Sequence, residues 1–394
     1  MNNTFIPDES QALVINLQRG YHLVLASPGC GKTQILAERV AKAYATNVPF
    51  SNMLCLTFTN RAARGMQERI AMRLEVPADD LFVGNVHRFC SRFLFDAGIV
   101  AASTSIIDDD DILSILCNFS GEDESQVGAN YRQRSLYMEA MQLSHLMFQI
   151  ENNHPRDLRL HPSCLSYDDI LALKKICLSQ HKPFDAAMMV DIYKHIDTYR
   201  DVCSGLDAQQ LIYRLLRKMQ LAHQYERYKD DNRLMDFEDI LLLSYEHREQ
   251  LPRFSWIQVD EVQDLNHLQL ALIDAMTARE EGQTPCVIYL GDPQQSIFSF
   301  MGAKCSTLDF LRNRCTGNIH SLSKNHRSPK YLLDIFNTYA VKQMGISPDL
   351  LPSTSFQPTT MGNELQWFQS DTIETEYLDA AQQAVRMLHD FPKD

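Results

Sequence analysis

The chain lacks any apolar run of the ~18 to 20 residues that a membrane-spanning helix needs, which excludes an integral helical membrane protein. Its start, Met1-Asn2-Asn3-Thr4-Phe5-Ile6-Pro7, has no basic residue and no apolar core, so a secretory leader is not expected. None of the 10 cysteines forms a C-x-x-C pair, which argues against a zinc ribbon and a disulfide framework and points to a reducing, cytoplasmic compartment. Positive charge is scarce. With 37 Lys and Arg against 50 Asp and Glu, the net charge is −13, so nucleic acid cannot be held by bulk charge and would need a local groove. Internal repeats and low-complexity segments are absent too.

What is present is ordinary globular material. The 394 residues, 45% hydrophobic and 22% charged, are enough for two or three domains with packed cores. Short apolar runs at His22–Ala26, Met53–Thr59, Phe82–Val86, Trp256–Val259 and Val287–Leu290 read as strands, several followed by helical patterns. That alternation predicts an α/β fold with a doubly wound parallel sheet. Between about residues 90 and 250 glycine becomes rare and long helical patterns take over, the longest at Gln209–Asp231, so a helical domain inserted into the sheet domain is expected. After about residue 320 come a helix (Lys330–Val341), a proline-marked loop, a strand (Glu364–Phe368) and a final helix (Glu374–Leu388), the opening of a second α/β unit.

The segment Ala26-Ser27-Pro28-Gly29-Cys30-Gly31-Lys32-Thr33 carries the strongest chemistry. It is a P-loop with alanine in the first glycine position. Gly29 and Gly31 allow backbone N–H groups close to phosphate oxygens, and a helix N-terminus faces the anion. Lys32 then reaches the β- and γ-phosphates, and the Thr33 hydroxyl ligates Mg²⁺. A P-loop needs a second metal carboxylate, and Asp260, at the end of an apolar strand, supplies it. The adjacent Glu261 can orient or deprotonate water, which a switch that only binds nucleotide would not need.

These and further segments together resemble the UvrD/Rep-type superfamily 1 DNA helicases, in order and over nearly the whole chain. The resemblance implies a RecA-like P-loop NTPase sheet (1–90 and 235–318), an inserted all-helical domain (91–234) and the beginning of a second RecA-like domain (319–394). It implies ATP and Mg²⁺ as cofactors and single-stranded DNA, or DNA with a single-stranded tail, as partner. Gln11 would read the adenine edge, with Ser27, Cys30, Gln34 and His326 completing the nucleotide site. Thr57, Phe58, Asn60 and Arg61, then His87, match the segments that contact single-stranded DNA. The stretch Met235–Leu241 matches the return from the insertion. Gly291–Phe298 matches the element that couples nucleotide state to DNA, where the Gln295 amide can sense the γ-phosphate or hold the lytic water. Arg327, in Asn325-His326-Arg327-Ser328, would stabilise charge on the transferring phosphoryl group. Phe58, His87, Phe298 and Phe300 offer flat faces for bases, worth ~1 to 3 kcal/mol each, while Arg61, Arg64 and Arg88 give a local basic lining.

Departures from the family pattern matter as well. Met301 stands where the family has an arginine, after Phe300 in place of tryptophan. Gln34 replaces the arginine after the P-loop threonine, and His326 replaces the aromatic over the adenine, so loose base selectivity or weak nucleotide affinity is expected. The late Gly-Leu-Glu segment and second catalytic arginine are absent before Asp394. A truncated second motor domain is expected, in preference to a short homologue completed by a protein partner. The function expected is an ATP-dependent DNA helicase or translocase with a place in DNA repair. The alternative is a non-translocating ATP-dependent DNA-binding subunit of a repair or defence complex. A P-loop kinase or GTPase is disfavoured, since there is no guanine-reading N-K-x-D.

Overall fold

A computed structural model of the chain describes residues 5–74, 76–121, 127, 130–278, 284–292, 305–348, 351–358 and 370–390. Strands β1 (Gly20–Ala26), β2 (Met53–Leu56), β3 (Phe82–Gly84), β6 (Trp256–Val259), β7 (Cys286–Gly291) and β8 (Ile319–Leu322) form one sheet in the order β3-β2-β6-β7-β1-β8. Every pairing is parallel. β2, β6 and β7 are buried along their whole length, the pattern of strands covered on both faces. Alternation along β7 shows the two layers. Val287 and Tyr289 pack with Leu54, Leu56, Ile257 and Val259 beneath α4 (Val86–Asp96), α10 (Phe237–Glu246) and α11 (His267–Ala275). Ile288 and Leu290 face the other way, onto Ile35, Leu36 and Val40 of α2 (Lys32–Ala45) and Met66 and Ile70 of α3 (Asn60–Arg73).

Two strands end earlier than their apolar runs. β2 stops at Leu56 because Thr59 caps α3, its hydroxyl accepting from the Ala62 N–H at 3.1 Å. Val86, read as strand, instead opens α4, because the Asn85 side chain accepts from the Arg88 N–H at 2.8 Å. A larger correction concerns residues 319–322. They were expected to begin a second RecA-like domain but pair with β1 as the edge strand of the first sheet (Leu23 with Ile319 through Ala26 with Leu322). An edge strand reading Ile-His-Ser-Leu, with only Leu322 buried, has no apolar run to announce it.

The chain between β3 and β6 leaves the sheet and returns beside its exit. β4 (Ser105–Ile106) pairs with β5 (Leu234–Met235), stapling the two ends. Between them run α5 (Asp109–Ser120), α6 (Tyr131–Glu151), α7 (Tyr167–Ser179), α8 (Ala186–Lys194) and α9 (Leu206–Asn232). Leu143, Met147, Ile176, Ile192, Leu215 and Met219 form their own core. Beyond β8 lie α13 (Lys330–Met344) and α14 (Ile373–Asp390); α12 (Cys305–Arg314) precedes it, and α1 (Glu9–Ile15) opens the chain. The strand expected at 364–368 lies outside the described residues. Among the described residues no helix is long and apolar enough to cross a membrane.

Candidate nucleotide and nucleic-acid site

In a parallel sheet all carboxyl ends share one edge, where ligands bind. β1 delivers the P-loop to that edge. Gly29 and Gly31 have φ of 78° and 79°, in the left-handed region where a side chain is strained. Space forbids a side chain as well. A Cβ on Gly29 would lie 2.6 Å from Asn325 Nδ2, and one on Gly31 2.9 Å from Gln11 Nε2. The loop is clamped from outside: Asn325 Nδ2 donates to the Pro28 carbonyl at 2.9 Å, and the His326 N–H donates to the Gly29 carbonyl at 2.8 Å. Cys30 is buried, its thiol pushed up to about 11 mainly by burial and its Sγ donating to the Leu322 carbonyl, so it serves as framework. Lys32 and the half-buried Thr33 open α2 and face a cleft of about 390 Å³, lined also by Arg69, Glu261, His326 and Arg327. Ser27 is half-buried beside them.

β6 delivers the carboxylates. Asp260 is 4% exposed and its backbone N–H donates to the Leu56 carbonyl at 2.8 Å. Burial first, and Glu261 next, push its carboxyl up to about 7 against the pull of Lys32. A buried carboxyl so short of positive charge, at the strand end beside the Lys32 and Thr33 cleft, supplies the hard oxygen that a magnesium ion takes. Glu261 has φ of 53°, unusual for a residue with a side chain. Its Oε1 lies 3.5 Å from Lys32 Nζ, and its Oε2 accepts from Gln263 Nε2 at 2.8 Å. Asp264 is pushed up to about 6 by burial and by Glu261.

The three side chains expected at the base are all engaged with protein. Gln11 is 2% exposed; its Oε1 accepts from the Asp8 N–H at 3.0 Å and its Nε2 donates to the Cys30 carbonyl at 3.1 Å. His326 Nε2 lies 3.0 Å from Asp8 Oδ2, and Gln34 Nε2 donates to Glu38 Oε1 at 3.2 Å. Burial would raise the Asp8 carboxyl, but hydrogen bonds from Gln11, Ser10 and His326 outweigh it and hold it below the usual range. Arg327 is exposed at the cleft, with its N–H on Asn325 Oδ1 at 2.9 Å.

The segments after β2 and β3 lie side by side on the same edge, joined by a bond from Asn85 Nδ2 to Asn60 Oδ1 at 3.2 Å. Asn60, Arg61 and Arg88 are exposed, whereas Phe58 is half-buried and packs against the core. Thr57 is 1% exposed and donates its N–H to the Gly84 carbonyl, so it supports the segment from below. His87 is pushed down to about 4 by burial and stays neutral; its ring meets Phe237 edge-on at 5.8 Å. Gln295, Phe298, Phe300 and Met301 lie outside the described residues. Four residues carried no role in the sequence reading: Asn325, Gln263, Arg69 and Phe237. Asn325 and Phe237 stood inside matched segments and Gln263 two residues after Glu261, but what Asn325 and Gln263 hold is distant in sequence.

A family model described as UvrD/REP helicase N-terminal domain matches residues 7–316. The chain belongs to that family. Among curated relatives, a probable DNA helicase II homolog of Mycoplasma pneumoniae is 25% identical over 94% of this chain and 47% of its own length. The ATP-dependent DNA helicase PcrA of Staphylococcus aureus is 24% identical over 93% of this chain and 43% of itself. PcrA of Bacillus subtilis is 26% identical over 80% and 36%. The chain therefore spans less than half the length of these relatives. For a UvrD/REP-type sheet, the match ends just before β8, the edge strand that completes it.

Proposed function

We propose that this chain is the ATP-hydrolysing motor portion of a DNA helicase that grips single-stranded DNA, with Mg²⁺-ATP at the P-loop. What supports the reading is one cleft in which Lys32, Thr33, Glu261 and Arg327 converge, on the sheet edge that also carries segments 57–61 and 85–88. Residues 1–90 with 235–322 form the first RecA-like domain on this reading, 91–234 the helical insertion, and the chain from 323 the beginning of a second.

Backbone N–H groups of Gly29 to Thr33 and the Lys32 ammonium hold the triphosphate. Thr33 and Asp260 would hold a magnesium ion, which would supply positive charge to the phosphates. Glu261 loses its Lys32 contact as the phosphates take that ammonium, and its freed carboxylate accepts a proton from the attacking water. Arg327 and Arg69 also line the cleft and offer permanent positive charge to the transferring γ-phosphoryl group. Beside this, the half-buried His87 and Phe58 present ring surface, with Arg61 and Arg88 exposed for phosphates.

Anisotropy of a fluorescent, unstructured single-stranded oligonucleotide tests the grip. Wild-type protein binds it, and His87→Ala weakens binding by about 5- to 150-fold, the equivalent of one stacked base. Absence of binding with and without nucleotide overturns the proposal.

A further inference from the structure

The turn that carries Glu261 also holds the chain on both sides of the 293–304 stretch. Before it, the Asp292 N–H at the exit of β7 donates to Gln263 Oε1 at 3.0 Å. After it, the Thr307 hydroxyl of α12 donates to the Leu265 carbonyl at 3.0 Å. Gln263 is 2% exposed, and its other end donates from Nε2 to Glu261 Oε2 at 2.8 Å and to Asp264 Oδ2 at 3.4 Å. One neutral amide thus spans from the candidate water-activating carboxylate to the backbone leaving β7. The fit is close: a Cβ on Gly291 would lie 2.9 Å from Gln263 Oε1 and 2.8 Å from a Val262 methyl.

We infer that Gln263 is the positioning residue for Glu261, and that it makes the setting of that carboxylate depend on the chain leaving β7. The residue type suits the task. An amide donates to a carboxylate without neutralising it, so Glu261 stays a base, whereas lysine would pair with it and a second carboxylate would repel it. Glu261 sits at φ 53°, a conformation that persists only where surroundings hold it. Lys32 and Gln263 hold its two oxygens, and nucleotide takes Lys32 away. Among the described residues, the Gln263 bond is then the one left to aim Glu261 in the working state. This inference rests on the hydrolytic, DNA-dependent reading above. Phe298 and Phe300, which the sequence resemblance expects to face DNA, follow Asp292, so a change at the exit of β7 reaches Glu261 through this amide.

The test uses Gln263→Leu and Gln263→Glu. The glutamate variant keeps an acceptor for the buried Asp292 N–H and, assayed at alkaline pH where its carboxyl is ionised, removes the donor to Glu261. Steady-state ATP hydrolysis is measured with and without a single-stranded oligonucleotide, together with nucleotide and DNA dissociation constants and thermal midpoints. Both variants are expected to lose about 10- to 100-fold in kcat, the scale of a misaimed catalytic group. KM for ATP and both dissociation constants should stay within about threefold, and the ratio of DNA-stimulated to basal rate should fall toward one. Gln263→Glu with wild-type kcat and wild-type stimulation overturns the inference, as does a loss confined to KM. If wild-type protein itself shows no DNA stimulation, the functional reading fails instead, while the basal kcat of Gln263→Glu still decides the positioning role.

Discussion

Asp236 ties the helical insertion to the sheet, and its removal has a calculable cost. It is wholly buried at the N-cap of α10, where its carboxylate accepts from His145 Nε2 at 2.9 Å, the Tyr225 hydroxyl at 2.8 Å, Lys229 Nζ at 2.8 Å and the Asp239 N–H at 2.9 Å. Burial alone would raise its pKa, but His145 and Lys229 outweigh it and hold the carboxyl well below the usual range. Since His145 lies on α6 and the other two on α9, this one group joins both long inserted helices to α10. Asp236→Ala removes one of the two carboxylates that meet Lys229 Nζ, leaving Asp239 at 2.5 Å, and takes from His145 the carboxylate that raises it. Breaking a buried ion pair costs ~3 to 5 kcal/mol, and the surviving Asp239 places the charge loss near the lower limit. Loss of the N-cap adds about 1 kcal/mol, for a total of about 4 kcal/mol. Urea unfolding at pH 7 measures it. Adding Lys229→Met to Asp236→Asn should give back at least about 1 kcal/mol relative to additivity, because the orphaned charge is gone. Asp236→Ala within about 1 kcal/mol of wild type refutes the reasoning.

Lys32→Ala should abolish nucleotide binding, and unchanged affinity for a fluorescent ATP analogue would remove the P-loop assignment. Because Gln11, Gln34 and His326 all bond to protein, GTP and CTP should turn over within about tenfold of ATP; a preference for ATP above about 100-fold contradicts that. Burial, helped by His145, pushes His161 down to about 4 from an ordinary 6.5, so the folded state resists its protonation. Stability should therefore fall as pH drops from 6.5 toward 4, by up to about 1.4 kcal/mol per unit, and urea midpoints in His161→Gln should flatten over that window. His145 works oppositely: Asp236 outweighs burial and raises it, so its contribution is full below 6.5 and fades as pH rises above it.

The parts visible in the sequence are those whose causes are local. β1, β6 and β7 follow from short, mostly apolar runs, because strands covered on both faces hold few polar residues, Gln258 in β6 and His22 in β1 among them. Gly29 and Gly31 were legible because a loop of that pattern needs glycine there, and both sit at a φ of 78° and 79° where a side chain is strained. β8 was not legible, since an edge strand of four residues needs no apolar run. The amide roles were hidden for another reason. Asn325 reaches back 297 residues to Pro28, and Gln263 reaches 29 residues forward to Asp292. Such bonds leave no periodicity and depend on sheet order, which places β1, β6 and β7 together. The His145–Asp236 contact spans 91 residues and was hidden in the same way.

The central claim is a DNA-dependent ATPase site, and ATP turnover with and without an unstructured single-stranded oligonucleotide tests it most directly, with Glu261→Gln as control. The account predicts hydrolysis that rises with DNA and falls by about 10²- to 10⁴-fold in Glu261→Gln, with nucleotide binding intact. Hydrolysis indifferent to DNA, or unchanged in Glu261→Gln, contradicts it.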